Sequence, residues 1–248
     1  MNTTRQKIRR GIIITFFLLL PITLNYYSPY LMTQGSAERI ASFSLVFWAA
    51  VFVTSLVLGR AFCGWLCPFN GLQTAWERVS DKPTKMRPAL RWIKFVLWAA
   101  WVAGVAAAAV AAGGWRRFDP LYMTEHGISV TEAGNLITYY LLVAITLLPA
   151  LHGKRGFCHH YCPFGVWGIV GTWLGRLVRL PMLRLRADAD ACTKCRSCDR
   201  ACPMSLPVSG MVGRADAFHA ECTLCGSCVD SCKDGGVRYA FGGRRGAV

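Results

Sequence analysis

The stretch Cys192-Thr-Lys-Cys195-Arg-Ser-Cys198-Asp-Arg-Ala-Cys202-Pro decides how the carboxyl-terminal part of the chain folds. The same spacing returns further along, with lysine in place of the proline, at Cys222, Cys225, Cys228 and Cys232. Thiols two, two and three residues apart can converge on a metal cluster, whereas structural zinc sites use two cysteine pairs separated by a dozen or more residues. The doubled run therefore predicts iron–sulfur ligation rather than zinc.

This spacing is the bacterial two-cluster ferredoxin pattern, in which the fourth cysteine of each run ligates the other cluster. The pattern predicts a first [4Fe–4S] cluster on Cys192, Cys195, Cys198 and Cys232. It predicts a second cluster on Cys222, Cys225, Cys228 and Cys202. Residues 182–248 are too few to bury a large core, so we expect the clusters to organise a small α+β ferredoxin-like domain there.

The preceding residues, 1–181, have the composition of a membrane protein. Hydrophobic residues make up 54% of the whole chain, which includes nine tryptophans. Apolar stretches predict four transmembrane helices and so a mostly α fold, at residues 12–31, 40–58, 92–112 and 136–151. A further stretch, residues 164–178, is too short to span a bilayer and predicts a helix lying at the interface.

The positive charge is distributed unevenly along the chain, which has 28 Lys and Arg against 13 Asp and Glu. The two loops after the first and third predicted spans hold only Arg39, Arg116 and Arg117. By the positive-inside rule, both termini and the cysteine-rich tail are predicted to be cytoplasmic, in a multi-pass protein of a bacterial inner membrane. Membrane lipid, and not nucleic acid, is then the partner that explains the charge.

An internal repeat links the two halves of the membrane part. Arg60-Ala-Phe-Cys63-Gly-Trp-Leu-Cys67-Pro-Phe matches Arg155-Gly-Phe-Cys158-His-His-Tyr-Cys162-Pro-Phe. Each copy follows an even-numbered span, so residues 1–181 are predicted to consist of a two-helix unit repeated over about 10–80 and 90–180. Such repeats pack about a pseudo-symmetry axis, with function at the interface between them.

The four repeat cysteines leave three interpretations open. Pro68 and Pro163 suit the first position of a helix, which would place Cys67 and Cys162 where a helix amino terminus lowers a thiol's pKa. The thiols could bind a third metal centre or act as redox-active dithiols. They could also be packing residues or a structural disulfide, although the cytoplasm keeps most disulfides reduced. The candidate set is Cys63, Cys67, Cys158 and Cys162.

The combination of four spans, two Cys-x3-Cys-Pro motifs and a two-cluster tail resembles the NapH-type family of membrane-bound ferredoxin-like proteins, which includes the MauN type. The resemblance covers nearly the whole chain and rests on twelve cysteines and two prolines. It implies electron transfer between the quinone pool or a cytoplasmic donor and a partner oxidoreductase. The chain would then be a quinol dehydrogenase component rather than a stand-alone enzyme. The alternative is an assembly factor that reduces a metal or thiol of a respiratory or methylamine-type enzyme.

The predicted topology adds a requirement for a further carrier. If both ferredoxin clusters are cytoplasmic, electrons bound for the far side need another carrier, and the four repeat cysteines are the candidates. A histidine can relay the proton that a quinol releases, which makes His152, His159 and His160 candidates for a quinone or haem site. The alternative for each is a polar anchor at the membrane interface. His126 is a candidate for docking a partner on the far side.

Overall fold

The computed structural model describes residues 3–77, 79–85, 87–148, 153–213 and 217–243. Within these ranges the strands are β1 (Ile40–Ser42), β2 (Arg117–Asp119), β3 (Met182–Ala187) and β4 (Val237–Gly242). The helices are α1 (Thr4–Leu18), α2 (Leu20–Tyr27), α3 (Pro29–Ala37), α4 (Phe43–Leu58), α5 (Ala61–Trp65), α6 (Pro68–Trp76), α7 (Pro88–Ala112), α8 (Ala133–Leu147), α9 (Gly156–His160), α10 (Phe164–Leu177), α11 (Ser197–Ala201), α12 (Val208–Gly213) and α13 (Ser227–Ser231). The described part of the chain is therefore mostly helical.

The first apolar stretch is a broken helix. Helices α1 and α2 meet at Leu19 with a bend of 81°. Pro21 lies in the first turn of α2, where its missing N–H costs no helical hydrogen bond. A second proline, Pro29, begins α3, and the Ser28 hydroxyl accepts a hydrogen bond from the Leu31 N–H at its start. The prediction of one span over residues 12–31 is corrected to a bent pair followed by a third helix.

Among the described helices, only α7 is by itself long and apolar enough to cross a membrane, over Ala89–Ala112. Helices α4 and α8 have 16 and 15 residues. At about 1.5 Å per residue, they reach roughly 22–24 Å, short of a hydrocarbon core of about 30 Å. The four predicted spans thus correspond to one long helix, one bent pair and two shorter apolar helices. Residues 149–151, the predicted end of the fourth span, lie outside the described residues.

The two loops with few basic residues meet at one end of the helices. Strands β1 and β2 pair in parallel, with Ile40 opposite Arg117. The Ser129 hydroxyl donates to the Ile22 carbonyl over 2.7 Å. Arg5 of α1, in contrast, forms an ion pair with Asp230 of the tail. The amino terminus and the cysteine-rich tail therefore share the other end of the helices.

Helix α10 packs along α4 through a face made of glycine. A Cβ atom at Gly171 would lie 1.7 Å from the Ser55 hydroxyl oxygen, and one at Gly175 would lie 2.2 Å from the Leu56 carbonyl oxygen. Only glycine permits this approach of the two backbones. Helix α10 is therefore packed on α4 by its glycine face, and its position at the membrane interface stays a prediction.

The core between the two repeat motifs is aromatic. Trp48 of α4 stacks on Phe164 of α10 with ring centroids 4.8 Å apart, and Phe69 of α6 stacks on the same ring at 5.4 Å. Cys67 and Cys162 are buried in this cluster. Burial of large aromatic side chains is a major source of stabilisation. The aromatic core thus joins the two halves of the repeat where their cysteine motifs lie.

The tail is closed by an antiparallel pair of strands. β3 pairs with β4 along its length, from Met182 opposite Gly242 to Ala187 opposite Val237. The cysteine runs lie between these strands in the chain, and each run contains a five-residue helix, α11 or α13, that ends just before its fourth cysteine. A small apolar cluster that includes Met204, Leu206 and Val212 lies between the two runs.

Candidate iron–sulfur sites

Two cavities in the tail are lined by cysteines. Their volumes include each cavity's opening to solvent. The first-site cavity has about 340 Å³, and its wall includes Cys192, Cys195, Cys198 and Cys232. The second-site cavity has about 380 Å³, and its wall includes Cys202, Cys222, Cys225 and Cys228. Each combines three cysteines of one run with the fourth of the other. All of these thiols are free, so both cavities fit the four-thiolate donor set of a [4Fe–4S] cluster.

Both cysteine runs turn through left-handed backbone conformations. The residues concerned have φ values of 56° at Lys194 and 57° at Arg196 in the first run, and 51° at Leu224 and 77° at Gly226 in the second. Such conformations cost about 1 kcal/mol or more for a residue other than glycine. Such conformations persist where the surrounding structure imposes them. Folding of each loop around a cluster would impose them here.

The two sites differ in their exposure to solvent. The thiol-bearing residue Cys195 is exposed, whereas Cys202 and Cys228 are buried. Burial raises the pKa of Cys202 to about 12 and that of Cys222 to about 11. These thiols are therefore protonated at neutral pH without a metal, and ligation at the second site would release their protons.

The second cysteine run packs directly on the first repeat motif. The Trp65 indole N–H donates to the Leu224 carbonyl over 3.1 Å. A Cβ atom at Gly64 would lie only 2.2 Å from the Thr223 carbonyl oxygen. Cys158 of the other motif also packs against the apolar core of the tail. The second site is thus seated on the repeat motifs, and the absence of a side chain at Gly64 makes this contact possible.

Helix α1 extends the same contact through a buried polar network. The Gln6 amide donates to the Cys225 carbonyl over 3.0 Å and to the Asp230 carboxylate over 2.7 Å. The Arg9 guanidinium donates to the Gln6 amide oxygen over 2.8 Å and to the Gly64 carbonyl over 3.2 Å. Gln6 and Arg9 are 2% and 1% exposed. Their network therefore joins the second cysteine run to the first repeat motif away from water.

A buried carboxylate next to Cys222 anchors the tail to two cations. Glu221 accepts from the Arg60 guanidinium over 2.7 Å and from the Lys94 ammonium over 2.5 Å. Burial alone would raise the pKa of Glu221, but Arg60 and Lys94 outweigh it and lower that pKa to about 2. Two glycines leave space for the Arg60 side chain, since Cβ atoms at Gly165 and Gly168 would each lie 2.7 Å from it.

The four repeat cysteines lie within electrostatic reach of one another. The thiolate charges of Cys63, Cys158 and Cys162 would each act on Cys67. The Gln73 amide donates to the Cys158 sulfur over 3.1 Å. In the described residues, no three His, Cys, Asp or Glu side chains are close enough to hold a single metal ion, here or in the tail cavities. A [4Fe–4S] cluster needs wider spacing, because each of its four irons takes one thiolate.

The predicted helix position of the motif cysteines is right for one copy and shifted in the other. Cys67 is the N-cap of α6, with Pro68 at the first helical position, whereas Pro163 is itself the N-cap of α10 and Cys162 precedes it. The predicted lowering of the thiol pKa is wrong for the metal-free protein. Burial raises the pKa of both Cys67 and Cys162, because desolvation and the charges of the neighbouring cysteines outweigh the backbone hydrogen bonds from Asn70 and Gly165.

His159, the residue after Cys158, is buried beside the Glu221 ion cluster. It is 1% exposed, and within the described part of the chain neither ring nitrogen has a hydrogen-bond partner. Burial, together with the charges of Lys94 and Arg60, lowers the pKa of His159 to about 3, although Glu221 acts in the opposite direction. Its imidazole is therefore neutral, and a proton is costly to place on it.

The other candidate histidines do not form a single site with His159 among the described residues. His160 accepts a hydrogen bond at Nε2 from the Arg87 N–H over 3.3 Å. His126 lies in the exposed turn between Glu125 and Ile128, at the end of the helices away from the tail. His152 lies outside the described residues. The structure thus keeps His159 and His160 near the second motif and separates His126 from them.

Sequence reasoning identified the cysteines but missed the polar residues that position the second site. The missed residues are Gln6, Glu221 and Lys94. The role of Lys94 could have been recognised from the sequence. Burying a lysine within an apolar stretch costs free energy, so such a lysine usually pairs with a partner inside the protein. Gln6 and Glu221 carried no such signal, since their partners lie far away in the chain.

Comparisons with known proteins agree with this chemistry. The family model described as a 4Fe-4S binding domain matches residues 40–87 and again 135–181, so each match contains one repeat motif. The model described as a 4Fe-4S dicluster domain matches residues 191–237, which contain both cysteine runs. No solved structure matches the chain.

Three curated relatives share sequence with most of this chain. YccM of Escherichia coli, named as a candidate electron transport protein, is 24% identical over 223 residues, which cover 86% of this chain and 60% of YccM. The methylamine utilization ferredoxin-type protein MauN of Methylorubrum extorquens is 32% identical over 74% of this chain and 61% of its own length. The ferredoxin-type protein NapH of Escherichia coli is 24% identical over 87% of this chain and 75% of its own length. The chain therefore spans about three fifths of the length of YccM and MauN.

The thiol-lined cavities and these matches define the class of protein as a ferredoxin-type iron–sulfur protein of electron transport. Within that class, the chain belongs to the NapH/MauN-type family of ferredoxin-like proteins. The resemblance seen in the cysteines and prolines is thereby confirmed.

Proposed function

We propose that the chain passes electrons between the two clusters of its tail and the four repeat cysteines, and so works at or across a membrane. The observation that carries this proposal is the seating of the second cysteine run on the first repeat motif. The Thr223 carbonyl oxygen lies where a Cβ atom at Gly64 would be only 2.2 Å away, and the Leu224 carbonyl accepts a hydrogen bond from Trp65. Electron transfer falls steeply with distance, so direct contact between two redox sites favours transfer between them.

The proposed ligands follow the two cavities. Cys192, Cys195, Cys198 and Cys232 would hold the first [4Fe–4S] cluster, and Cys222, Cys225, Cys228 and Cys202 the second. Such clusters exchange one electron at a time, at potentials set by hydrogen bonds, charge and exposure. This chain's own contribution is the surroundings, which are open at the first site and enclosed by Gln6 and its partners at the second.

We also propose a third redox centre at Cys63, Cys67, Cys158 and Cys162. The match of a 4Fe-4S binding model to both motif-bearing halves supports it. Charge supports it as well, because Arg60 acts electrostatically on Cys63 and Cys158 while Arg155 acts on Cys158. Both guanidiniums are buried. Each would offset the negative charge of thiolates in a place that water does not reach.

The proposed membrane arrangement has the amino terminus, the repeat motifs and the tail on the cytoplasmic side. The uneven distribution of Lys and Arg supports this orientation. The pairing of Arg5 with Asp230 supports a shared side for amino terminus and tail. Helix α7, the bent pair of α1 and α2, and the shorter α4 and α8 would provide the four crossings. A quinone or a partner oxidoreductase would exchange electrons with the repeat cysteines.

The test is an anaerobic assay of iron and sulfide in the full chain and in Cys63→Ser and Cys158→Ser variants. Three centres predict about twelve irons per chain, falling to about eight in either variant. Cys195→Ser is the matched control, because it should disturb the first tail cluster and leave the repeat centre intact. About eight irons in the unaltered chain, unchanged in the Cys63 and Cys158 variants, would rule out the third centre.

A further inference from the structure

The residues beside the cysteines differ in charge between the two tail sites. At three positions that correspond in the repeated spacing, the first run has a cation and the second has an uncharged or acidic residue. These pairs are Lys194 and Leu224, Arg196 and Gly226, and Arg200 and Asp230. A fourth cation, Lys233, follows Cys232, the cysteine that the second run contributes to the first-site cavity. The first site is therefore bordered by four cations and not by a single surface charge.

We call the four cations around the first site the basic face: Lys194, Arg196, Arg200 and Lys233. All four are exposed, as is Cys195 between the first two. The Arg200 guanidinium donates to the Cys195 carbonyl over 3.4 Å and to the Ser197 hydroxyl over 3.2 Å, which holds its charge against the cluster loop. The basic face thus surrounds the one cysteine of the tail that is exposed to water.

The nearby acids do not cancel this charge. The Asp234 carboxylate accepts from the Thr193 hydroxyl over 2.8 Å. The Asp199 carboxylate accepts from the Ser209 N–H over 2.7 Å and from its hydroxyl over 2.5 Å. Both carboxylates are held by neutral donors of the tail, and among the described residues neither forms an ion pair with the basic face. Asp190, two residues before Cys192, is a third acid and is exposed, and Asp188 is paired with Arg238. Four cations against Asp190, Asp199 and Asp234 still leave the surface positive.

The corresponding positions of the second site are occupied by contacts within the protein. The Leu224 carbonyl accepts hydrogen bonds from Trp65 and from the Tyr239 hydroxyl. Asp230 binds Arg5 and Gln6 of α1. Hydrogen bonds from the first run, in contrast, stay within the tail among the described residues. The second site is therefore docked on the rest of the chain, while the first site keeps an open edge.

We propose that the basic face docks an acidic, soluble ferredoxin, which exchanges one electron with the first cluster at the exposed edge near Cys195. This inference rests on the proposed function and adds the class of partner. In the inward direction, the reduced ferredoxin loses one electron and the oxidised first cluster gains it. No bond forms or breaks, and no proton moves. A protein fits better than a lipid surface, because the cations surround a cluster edge through which an electron can pass.

The experiment uses the full chain in detergent with its clusters in place, without oxygen. A plant-type [2Fe–2S] ferredoxin, an acidic protein, is reduced in advance and mixed with the oxidised chain in a stopped-flow instrument. Electrostatic steering raises association rates by about 10–10³-fold at low salt. We expect the second-order rate constant to fall as salt is added, and to be about tenfold lower or more in the Lys194→Glu/Arg196→Glu variant at low salt.

The matched control is Arg116→Glu/Arg117→Glu, which makes the same charge change on exposed residues at the other end of the helices. Its rate should equal that of the unaltered chain. Equal rates in the two double variants, or a rate that rises with salt, would overturn the proposal. It would also fail if Lys194→Glu/Arg196→Glu abolished binding to phosphatidylserine vesicles while leaving the ferredoxin rate unchanged, since the face would then bind lipid.

Two measurements separate this test from that of the proposed function. Iron content and the electron paramagnetic resonance signal of the reduced clusters should be the same in both double variants, so a slower reaction reflects docking and not cluster loss. If the repeat cysteines carry no electron, the ferredoxin rate at the first cluster would still show its salt dependence. That result would reject the proposed function and retain the docking surface.

Discussion

The two cysteine runs of the tail share one spacing but lie in opposite surroundings. The first run has the exposed Cys195 and a basic, water-facing border. In the second run, every residue from Thr223 to Cys228 is buried, and the run contacts α1 and the first repeat motif. The spacing therefore determines what the sites can bind, and the neighbouring residues determine what each site can exchange electrons with.

Because of this difference, the stability of the second site depends on contacts with residues outside the tail. Gln6, Gly64, Trp65 and the pair of Arg60 with Glu221 all contact the second run or the residue before it. Among the described residues, the first run has no such support from residues 1–181. Changes in α1 and the repeat motifs should therefore weaken the second site and spare the first.

The largest effect is expected from Glu221→Ala, which would leave Arg60 and Lys94 buried without their carboxylate. Removing one partner of a buried ion pair costs about 3–5 kcal/mol. For a chain of this size, that would lower the midpoint of thermal unfolding by roughly 10 °C. The measurement is the loss of iron–sulfur absorbance on heating the anaerobic protein in detergent.

The control for this change lies beside the first run. Asp188 forms an ion pair with Arg238 over 2.9 Å, in which the Arg238 side chain is 60% exposed and the Asp188 side chain 34%. Exposed pairs contribute about 0–1 kcal/mol, so Asp188→Ala should shift the midpoint by a few degrees at most. If both variants lost the same stability, the asymmetry between the two sites would be refuted.

A smaller effect is expected from Gly64→Ala. The new methyl group would meet the Thr223 carbonyl, so the second run would have to move away from the repeat motif. Overpacking of this kind costs about 1–3 kcal/mol. An iron chelator should remove iron from the second site faster than in the unaltered protein, while the first site should lose it at the same rate. The two sites would be followed by their separate electron paramagnetic resonance signals.

Gly210 provides the matched control for that substitution. It lies in α12 of the tail, and a Cβ atom there would meet nothing within 4 Å. Alanine is the better helix former by about 1 kcal/mol, so Gly210→Ala should leave both sites intact. Unchanged iron loss in Gly64→Ala would mean that the second run does not depend on its contact with the repeat.

The sequence predicted the tail well because the relevant signal is local. Turns between cysteines two or three residues apart bring thiols together whatever the rest of the chain does, and the two cavities group the same eight cysteines. Helix α7 was predictable for a similar reason, since residues 95–112 form a long apolar run without a charge. Pro21 predicted a kink in the first stretch, and the fourth stretch was predicted to be short, as α8 is. The size of the bend, 81°, and the short length of α4 were not predictable, because hydropathy does not report how far a helix turns or where it ends.

The residues that seat the second site could not be predicted, because their partners are distant in the chain. Glu221 precedes a ligand cysteine, but Arg60 and Lys94 are supplied by a repeat motif and a long apolar helix. The prediction that the thiol pKa values are lowered was wrong for a related reason. The helix position of Cys67 was predictable. Its burial in an aromatic core was not, because that burial depends on packing between the two halves of the repeat, and it is burial that raises the pKa of Cys67.

The smallest of these effects is expected from Gln6→Ala, which removes the amide between Cys225 and Arg9. The net loss for such hydrogen bonds is about 0.5–1.5 kcal/mol each, and the potential of the second cluster should shift because hydrogen bonds near a cluster help to set it. Lys7→Ala, a change at the exposed neighbour, is the control and should leave both potentials unaltered. A redox titration followed by electron paramagnetic resonance distinguishes the clusters. An equal shift at both clusters would contradict the assignment of Gln6 to the second site, because its contacts reach only that cysteine run.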